Sequence, residues 1–282
     1  MTRPIILAST HAASILQTRR QGHDLAITSL DLSLTTSEVL LRTEGVIFPD
    51  GQELVWEAIE EISQTESVCF VVEGSDAEKI QRFSEFSNRF YSLMPTDKAP
   101  TLLISGISMH RIKGIDPHQD TLRKIRTIAP LTGRVLDTCT GLGYTAIEAA
   151  KTADEVVTIE LDPTVLEVAR LNPWSRQLFE DPRIHQIVGD SFDEIDALED
   201  EAFSRVIHDP PRFSLAGDLY SGEFYRNLFR VLVRKGRLFH YVGDLESRSG
   251  RNVVKGVVRR LQEAGFSRVV RRPRAFGVVA YK

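Results

Sequence analysis

Cysteine is scarce: Cys69 and Cys139 are the only two among 282 residues. They lie far apart and match no metal-ligand spacing, which excludes a disulfide framework and a zinc or iron–sulfur site and fits a reducing, cytoplasmic setting. Apolar runs of about 18 residues are missing too, so no segment is expected to cross a bilayer and a membrane is not a partner. The opening MTRPIILASTHAASILQTRR carries one Arg before a short apolar stretch broken by Ser, Thr and His. It reads as a first strand rather than a leader. Internal repeats and low-complexity tracts are absent.

What is present is an ordinary globular composition, 42% hydrophobic and 26% charged, in a chain long enough for one large domain or two moderate ones. The net charge of −4 is unevenly spread. Residues 1–100 hold 15 acids against 8 bases, whereas 234–274 hold 12 bases against three acids, a balance of +9. Such a segment serves as the solvated face of an α/β domain or as a contact for RNA, an acidic protein or a phosphorylated small molecule. Aromatics are not interleaved with these bases, which favours the solvated face. A second copy of the chain, forming a homodimer, stands as a further partner class.

Residues 1–100 read as a small α+β domain that shapes an acceptor site or an oligomer. Asp24–Leu34 alternates like a half-buried strand, Ser37–Phe48 reads as a hairpin, and Pro49-Asp50-Gly51 is a turn signal. Glu53–Ile62 has helical spacing and Ser67–Val72 is a buried strand. Glu78–Leu93 reads as a helix with Ile80, Phe83, Phe86 and Phe90 on a core-facing side. The break at Met94–Pro100 places a domain boundary near residue 100, with a second domain over 101–282.

From residue 119 helices and strands alternate: strands at Arg134–Asp137, Glu155–Glu160, Ile184–Val188, Val206–His208 and Arg237–Val242, each followed by a helical pattern. Arg268–Arg272 and Ala275–Tyr281 lie too close for a crossover helix and must pair as a hairpin. The expected fold is α/β: a Rossmann-like, doubly wound, mostly parallel seven-stranded sheet with an antiparallel last strand.

Ligands of such sheets sit beyond the carboxyl ends of the strands. Four successive strand ends here carry an acid. Asp137 precedes a Gly141-x-Gly143 loop, where backbone can approach a ligand closely and the acid can accept from an ammonium group. Glu160 is placed to take both hydroxyls of a ribose. Asp190 is placed to accept from an adenine amino group, or to cap a helix. Asp209 opens Asp209-Pro210-Pro211. Thr138, Tyr144, Thr145, Leu161 and Ser191 flank these groups and join the candidate cofactor site. His110 is a candidate base, or a hydrogen-bonded linker residue; Arg212 binds an acidic acceptor group or pairs locally.

In this combination residues 109–282 resemble a class I S-adenosylmethionine (SAM)-dependent methyltransferase. DTCTGLGYT (Asp137–Thr145), LNPWSR (Leu171–Arg176) and HDPPRFSLAG (His208–Gly217), with Met109-His110-Arg111, resemble a prokaryotic family of predicted methyltransferases. The resemblance implies SAM as cofactor and N- or O-methylation of RNA, a small amine or a protein, with Asp209, Pro210, Pro211, Arg212 and His110 at the acceptor side. Arg212 replaces the aromatic residue that would stack on a planar base. One rival reading is an aminopropyltransferase like spermidine synthase, using decarboxylated SAM, in which Asp209 holds the polyamine amine; the Gly-Gly-Gly-Asp-Gly run of that family is missing. A second is a non-catalytic RNA- or protein-binding module that keeps a SAM pocket.

Overall fold

Short β-branched runs stopped by an acid or a glycine, alternating with helices whose apolar residues recur every three or four positions, set the architecture of the C-terminal half. The computed structural model describes residues 3–213 and 215–282, with Arg248 and Ser249 described in backbone only. Ser214, within His208–Gly217, therefore lies outside the described residues. The chain divides into two compact units, Met1–His118 with Thr164–Arg176, and Gln119–Pro163 with Gln177–Lys282.

The first unit is rich in short strands: β1 (Ile5–Leu7), β2 (Leu25–Thr28), β3 (Ser37–Leu41), β4 (Gly45–Ile47), β5 (Glu53–Val55), β6 (Phe70–Glu73), β7 (Asp76–Lys79), β8 (Gln81–Ser84), β9 (Arg89–Met94), β10 (Thr101–Ile104) and β11 (Ile107–Ser108). Helices α1 (Ser9–Arg20) and α2 (Trp56–Gln64) accompany them. Strands β2 to β5 form an antiparallel meander, β8 to β11 a second, and β6 pairs with β1 and β7. Trp56, Ile59 and Ile62 fall on one side of α2 and join Ile15, Val39 and Phe70 in the core. The break at Met94–Pro100 joins two paired strands, Met94 facing Thr101 across the ladder.

The helix expected over Glu78–Leu93 is replaced by strands β7, β8 and β9. Positions 80, 83, 86 and 90 satisfy helical spacing, but the competing period of two prevails: Tyr91 and Leu93 are buried while Phe90 between the turn and Tyr91 is exposed. Asn88 takes φ +53°, a left-handed turn conformation that Asn tolerates and that a continuing helix forbids. Phe83 and Phe90 then face each other across the hairpin with ring centroids 4.8 Å apart. Phe83, Phe86 and Phe90 are 47%, 69% and 51% exposed, so the aromatic stripe is not core.

The second unit comprises strands β12 (Arg134–Asp137), β13 (Glu155–Glu160), β14 (Ile184–Val188), β15 (Phe203–His208), β16 (Leu232–Tyr241), β17 (Arg268–Arg272) and β18 (Gly277–Tyr281). Helix α3 (Pro117–Arg126) leads in, followed by α4 (Tyr144–Ala150), α6 (Arg176–Glu180), α7 (Ser191–Glu194), α8 (Gly222–Val231) and α9 (Arg248–Glu263), while α5 (Pro163–Arg170) falls with the first unit from Thr164 onward. The strands make one seven-stranded sheet in the order β14-β13-β12-β15-β16-β18-β17. All ladders are parallel except those of β18, which runs antiparallel to both neighbours. This is the doubly wound, mostly parallel sheet that the alternating pattern predicts. The chain moves outward from β12 to β14 and then returns to β15, so strand order reverses between β12 and β15. A crevice opens at the carboxyl end of such a reversal, and Asp137 and Asp209 stand there.

On α9, Val254, Val257 and Leu261 recur at helical spacing and are fully buried, packing in the same core as Phe224, Leu228 and Leu238. Among the described residues no helix is long and apolar enough to cross a membrane. Truncating Leu261 to Ala removes a fully buried side chain and is expected to cost about 2–5 kcal/mol of unfolding free energy in urea titration. The same truncation at Ile27, 62% exposed, is expected to cost less than about 0.5 kcal/mol.

Candidate active site

After Asp137 the chain turns through Thr138–Gly143 into α4, and this loop is stitched to the strands on either side. Thr138 N–H donates to the Ile207 carbonyl (3.0 Å) and Thr140 N–H to that of Ile159 (2.9 Å). The hydroxyls of Thr140 and Thr158 share a 2.7 Å bond, and Ser191 Oγ donates to the Thr138 carbonyl. Gly141 and Gly143 both adopt the left-handed region, at φ +52° and +76°. A Cβ on Gly143 would sit 2.7 Å from the Leu178 side chain, which would have to shift, on top of the strain of a positive φ. A Cβ on Gly141 would meet nothing within 4 Å, so its bare face looks onto open space. Tyr144 and Thr145, the first residues of α4, are buried.

The acids at the strand ends behave unequally. Asp137 is fully buried; its Oδ2 accepts from Thr145 Oγ1 (3.1 Å) and Thr158 Oγ1 (3.0 Å). Its Oδ1 has no hydrogen-bond partner among the described residues, an acceptor ready for a donor. Burial pushes the Asp137 carboxyl up to about 8, opposed by the two threonines and reinforced by the nearby charges of Asp209 and Glu160. Glu160 accepts from the backbone N–H of Gly141 (2.8 Å) and of Asp162 (3.2 Å), and burial pushes it up to about 7. Each of its oxygens keeps a lone pair for another donor. Asp190 is exposed and caps α7, accepting from Phe192 N–H at 2.8 Å. Leu161 is 47% exposed.

Asp209, just beyond β15, is held by a residue that the sequence alone did not single out. Lys124, on α3, places its ammonium 2.6 Å from Asp209 Oδ2 and 3.2 Å from Asp120 Oδ2, with side chains 2%, 17% and 0% exposed respectively. The same ammonium lies 4.7 Å from the centre of the Tyr241 ring, at the end of β16. Burial pushes the Asp209 carboxyl up and Lys124 pulls it down. With an ammonium at hydrogen-bond distance and part of the carboxylate still exposed, the pair is ionised. The two carboxylates in turn hold Lys124 firmly protonated. Asp120 and Lys124 are four positions apart on one helix, a spacing that ordinarily signals an exposed ion pair. Nothing in the sequence marks this pair as buried.

The remaining candidates have partners of their own. His208 is fully buried, its Nε2 2.9 Å from the Leu219 carbonyl and its Nδ1 2.7 Å from Thr138 Oγ1. A carbonyl only accepts, so Nε2 carries the proton and Nδ1 accepts from the threonine. Burial pushes this imidazole down to about 3, which leaves it neutral and structural. His240, also buried, meets Tyr225 Oη at 2.8 Å. Pro210 is buried and Pro211 accepts from Tyr220 Oη at 3.0 Å, whereas Arg212 and Phe213 are exposed. His110 belongs to the first unit, where its Nδ1 lies 3.0 Å from Thr101 Oγ1. The Asn172 of LNPWSR accepts from Trp174 N–H (3.2 Å) and donates to Ser175 Oγ (2.8 Å), a turn-forming role.

A sulfonium nucleoside fits this site on three observations: the orphaned Oδ1 of Asp137, the open face of Gly141, and buried carboxylates whose mutual repulsion a cation would relieve. The charged groups acting on Asp137 are two further carboxylates, and Lys124 is already engaged by two aspartates. The α-carboxylate of SAM finds no unengaged cation among these groups.

No family profile matches the chain. The uncharacterized protein MJ1233 of Methanocaldococcus jannaschii is 46% identical over 261 residues, covering 90% of this chain and 88% of that protein. Polyamine aminopropyltransferase of Aeropyrum pernix is 34% identical over 106 residues, 35% of this chain and 33% of that enzyme. Polyamine aminopropyltransferase 2 of Streptomyces coelicolor is 34% identical over 96 residues, 32% of this chain and 17% of that enzyme. The chain thus matches a third or less of the length of these enzymes. Among solved structures, a spermidine synthase in complex with the transition-state analogue AdoDATO superposes with a TM-score of 0.59 at 20% identity, covering 71% of each chain. Spermidine synthase from Thermotoga maritima gives 0.57 at 19% identity, covering 74% of this chain and 75% of that one. At this identity the likeness shows the fold alone. The methyltransferase reading taken from the motifs is corrected here, because the two enzymes matched in part are polyamine aminopropyltransferases and the two superposed structures are spermidine synthases.

Two outcomes follow from the buried charges. Lys124→Met leaves Asp120 and Asp209 facing each other without their ammonium and is expected to cost about 3–5 kcal/mol in urea titration; a loss under about 1 kcal/mol would show the pair to be solvated. Unfolded carboxylates titrate near ~4, whereas Asp137 and Glu160 in the folded protein titrate at about 8 and 7. Their stabilising contribution is therefore whole below about pH 4 and is lost as pH rises through those values. Ligand-free Asp137→Asn should be more stable than the parent at about pH 8.5, with the difference vanishing near pH 4.

Proposed function

The chain belongs to one family with protein MJ1233 of Methanocaldococcus jannaschii, and within that family we propose aminopropyl transfer from decarboxylated SAM to an amine acceptor. The observation that carries the reading is the group of carboxylates at the strand-order reversal, Asp137 buried and Glu160 and Asp209 half-buried, in which the ammonium of Lys124 is already engaged by two aspartates. Decarboxylated SAM carries two positive charges and no carboxylate, so it matches this group where SAM itself leaves an anion unpaired. The matched segments of named polyamine aminopropyltransferases support the same assignment.

In this reading the cofactor, when bound, supplies an aminopropyl carbon activated by a positively charged sulfur. Asp137 Oδ1 accepts from the ammonium end and Glu160 from the ribose hydroxyls, while Asp190 and Ser191 border the adenine. The open face of Gly141 lets the backbone approach the nucleoside. Asp209 receives the acceptor amine. Lys124 acts as a positioning residue, pinning Oδ2 so that the carboxylate presents its other oxygen at a fixed angle. The amine nitrogen forms the new C–N bond as the C–S bond breaks, methylthioadenosine leaves, and the amine's proton departs by way of Asp209 to solvent. Such displacements gain mainly from holding the reacting atoms in line at contact distance.

Titration calorimetry should show tighter binding of decarboxylated SAM than of SAM, with proton release at neutral pH as the cation lowers the Asp137 and Glu160 carboxyls. Asp209→Asn should keep cofactor affinity within about threefold and lower turnover by about 100-fold or more. Preference for SAM, or an Asp209→Asn enzyme of undiminished turnover, would overturn the assignment.

A further inference from the structure

The second unit contains a concavity of about 840 Å³ that plays no part in the site above, lined by Arg123 and Arg126 of α3, Arg271 and Arg272 of β17, Arg274 of the following turn, and Glu246. Five guanidinium groups thus converge on one space with a single carboxylate. Arg123, Arg126, Arg271 and Arg272 take part in no ion pair among the described residues. Bringing like charges together without partners is unfavourable, and an anion entering the space removes that cost. Planar guanidinium forks match the oxygens of phosphate two at a time.

Strand register fixes where this lies. Gly277 of β18 pairs with both Tyr241 and Arg272, so the arginines of β17 and its turn stand at the same rim of the sheet as Tyr241. Arg237 and Arg268 both pair with Tyr281 at the opposite rim. Among the basic residues of the strands, Arg237 and Arg268 therefore stand at the end away from Arg271 and Arg272. The lining also holds no aromatic side chain on which bases would stack. The volume falls within the range of small-molecule sites. A polyamine, itself a polycation, is repelled from it.

We propose that this arginine-lined concavity is a binding site for a small phosphate-bearing ligand, of the oligophosphate or phosphate-ester class, on the acceptor rim of the sheet. The assignment stands whether or not aminopropyl transfer is the reaction.

The test is titration calorimetry of the full chain with inorganic pyrophosphate, with adenosine monophosphate and with a ten-residue oligouridylate. Pyrophosphate is expected to bind at one site. The double variant Arg123→Glu/Arg271→Glu, which alters exposed side chains and should retain the parent circular dichroism spectrum, is expected to weaken binding by about tenfold or more. Lys255→Glu, an exposed charge change on α9, is expected to leave it within about twofold. Pyrophosphate binding that is absent, or indifferent to the double variant, overturns the proposal. Binding of the oligouridylate in the absence of pyrophosphate and adenosine monophosphate binding overturns it in favour of RNA.

Discussion

One buried ammonium shared by two carboxylates, Asp120 and Asp209, organises the strand-order reversal of this protein. Lys124 reaches from α3 to Asp209 beyond β15 and so ties the lead-in helix to the strand whose end defines the crevice. Desolvating three charges is expensive, and removing only the ammonium is more costly than replacing the whole group by apolar residues. Such an arrangement is weak as a source of stability but strong as a constraint on geometry. The charges that act on Asp137 are those of Asp209 and Glu160, and the proposed function rests on the relief that a positively charged ligand would bring.

Much of the second unit was legible in sequence because its signals are local. Arg134–Asp137, Glu155–Glu160 and Ile184–Val188 emerge as strands at the expected bounds, since each is a compact apolar run closed by an acid or a glycine. The closing hairpin follows from chain length, there being no room for a crossover helix between Arg272 and Gly277. Glu78–Leu93 was misread because four apolar positions suit either period, and the deciding turn at Asn88 depends on pairing between β8 and β9. Lys124 was overlooked for a different reason. Burial of a charged helix face is a tertiary property, and an Asp-x-x-x-Lys pair looks the same in sequence whether it faces water or a carboxylate.

Motif and comparison point to neighbouring chemistries on one fold, and the proposal of aminopropyl transfer rests on charge. A glycine loop followed by acids at strand ends serves any adenosyl sulfonium, so DTCTGLGYT alone favours neither methyl nor aminopropyl transfer. The difference lies in what must be solvated at the far end of the cofactor. SAM brings a carboxylate that needs a cation or a nest of N–H donors, whereas the decarboxylated form brings only positive charge. A site whose one lysine is already committed to two aspartates suits the second. The arginines at the outer edge of the same rim form a separate region of opposite sign.

Product analysis tests the central claim most directly. The protein is incubated with decarboxylated SAM or with SAM and a panel of diamines and polyamines, and the nucleoside released is identified by mass spectrometry. Aminopropyl transfer predicts methylthioadenosine, formed only with the decarboxylated cofactor and in step with an amine heavier by one aminopropyl group. Appearance of S-adenosylhomocysteine from SAM, with no methylthioadenosine from its decarboxylated form, would contradict it.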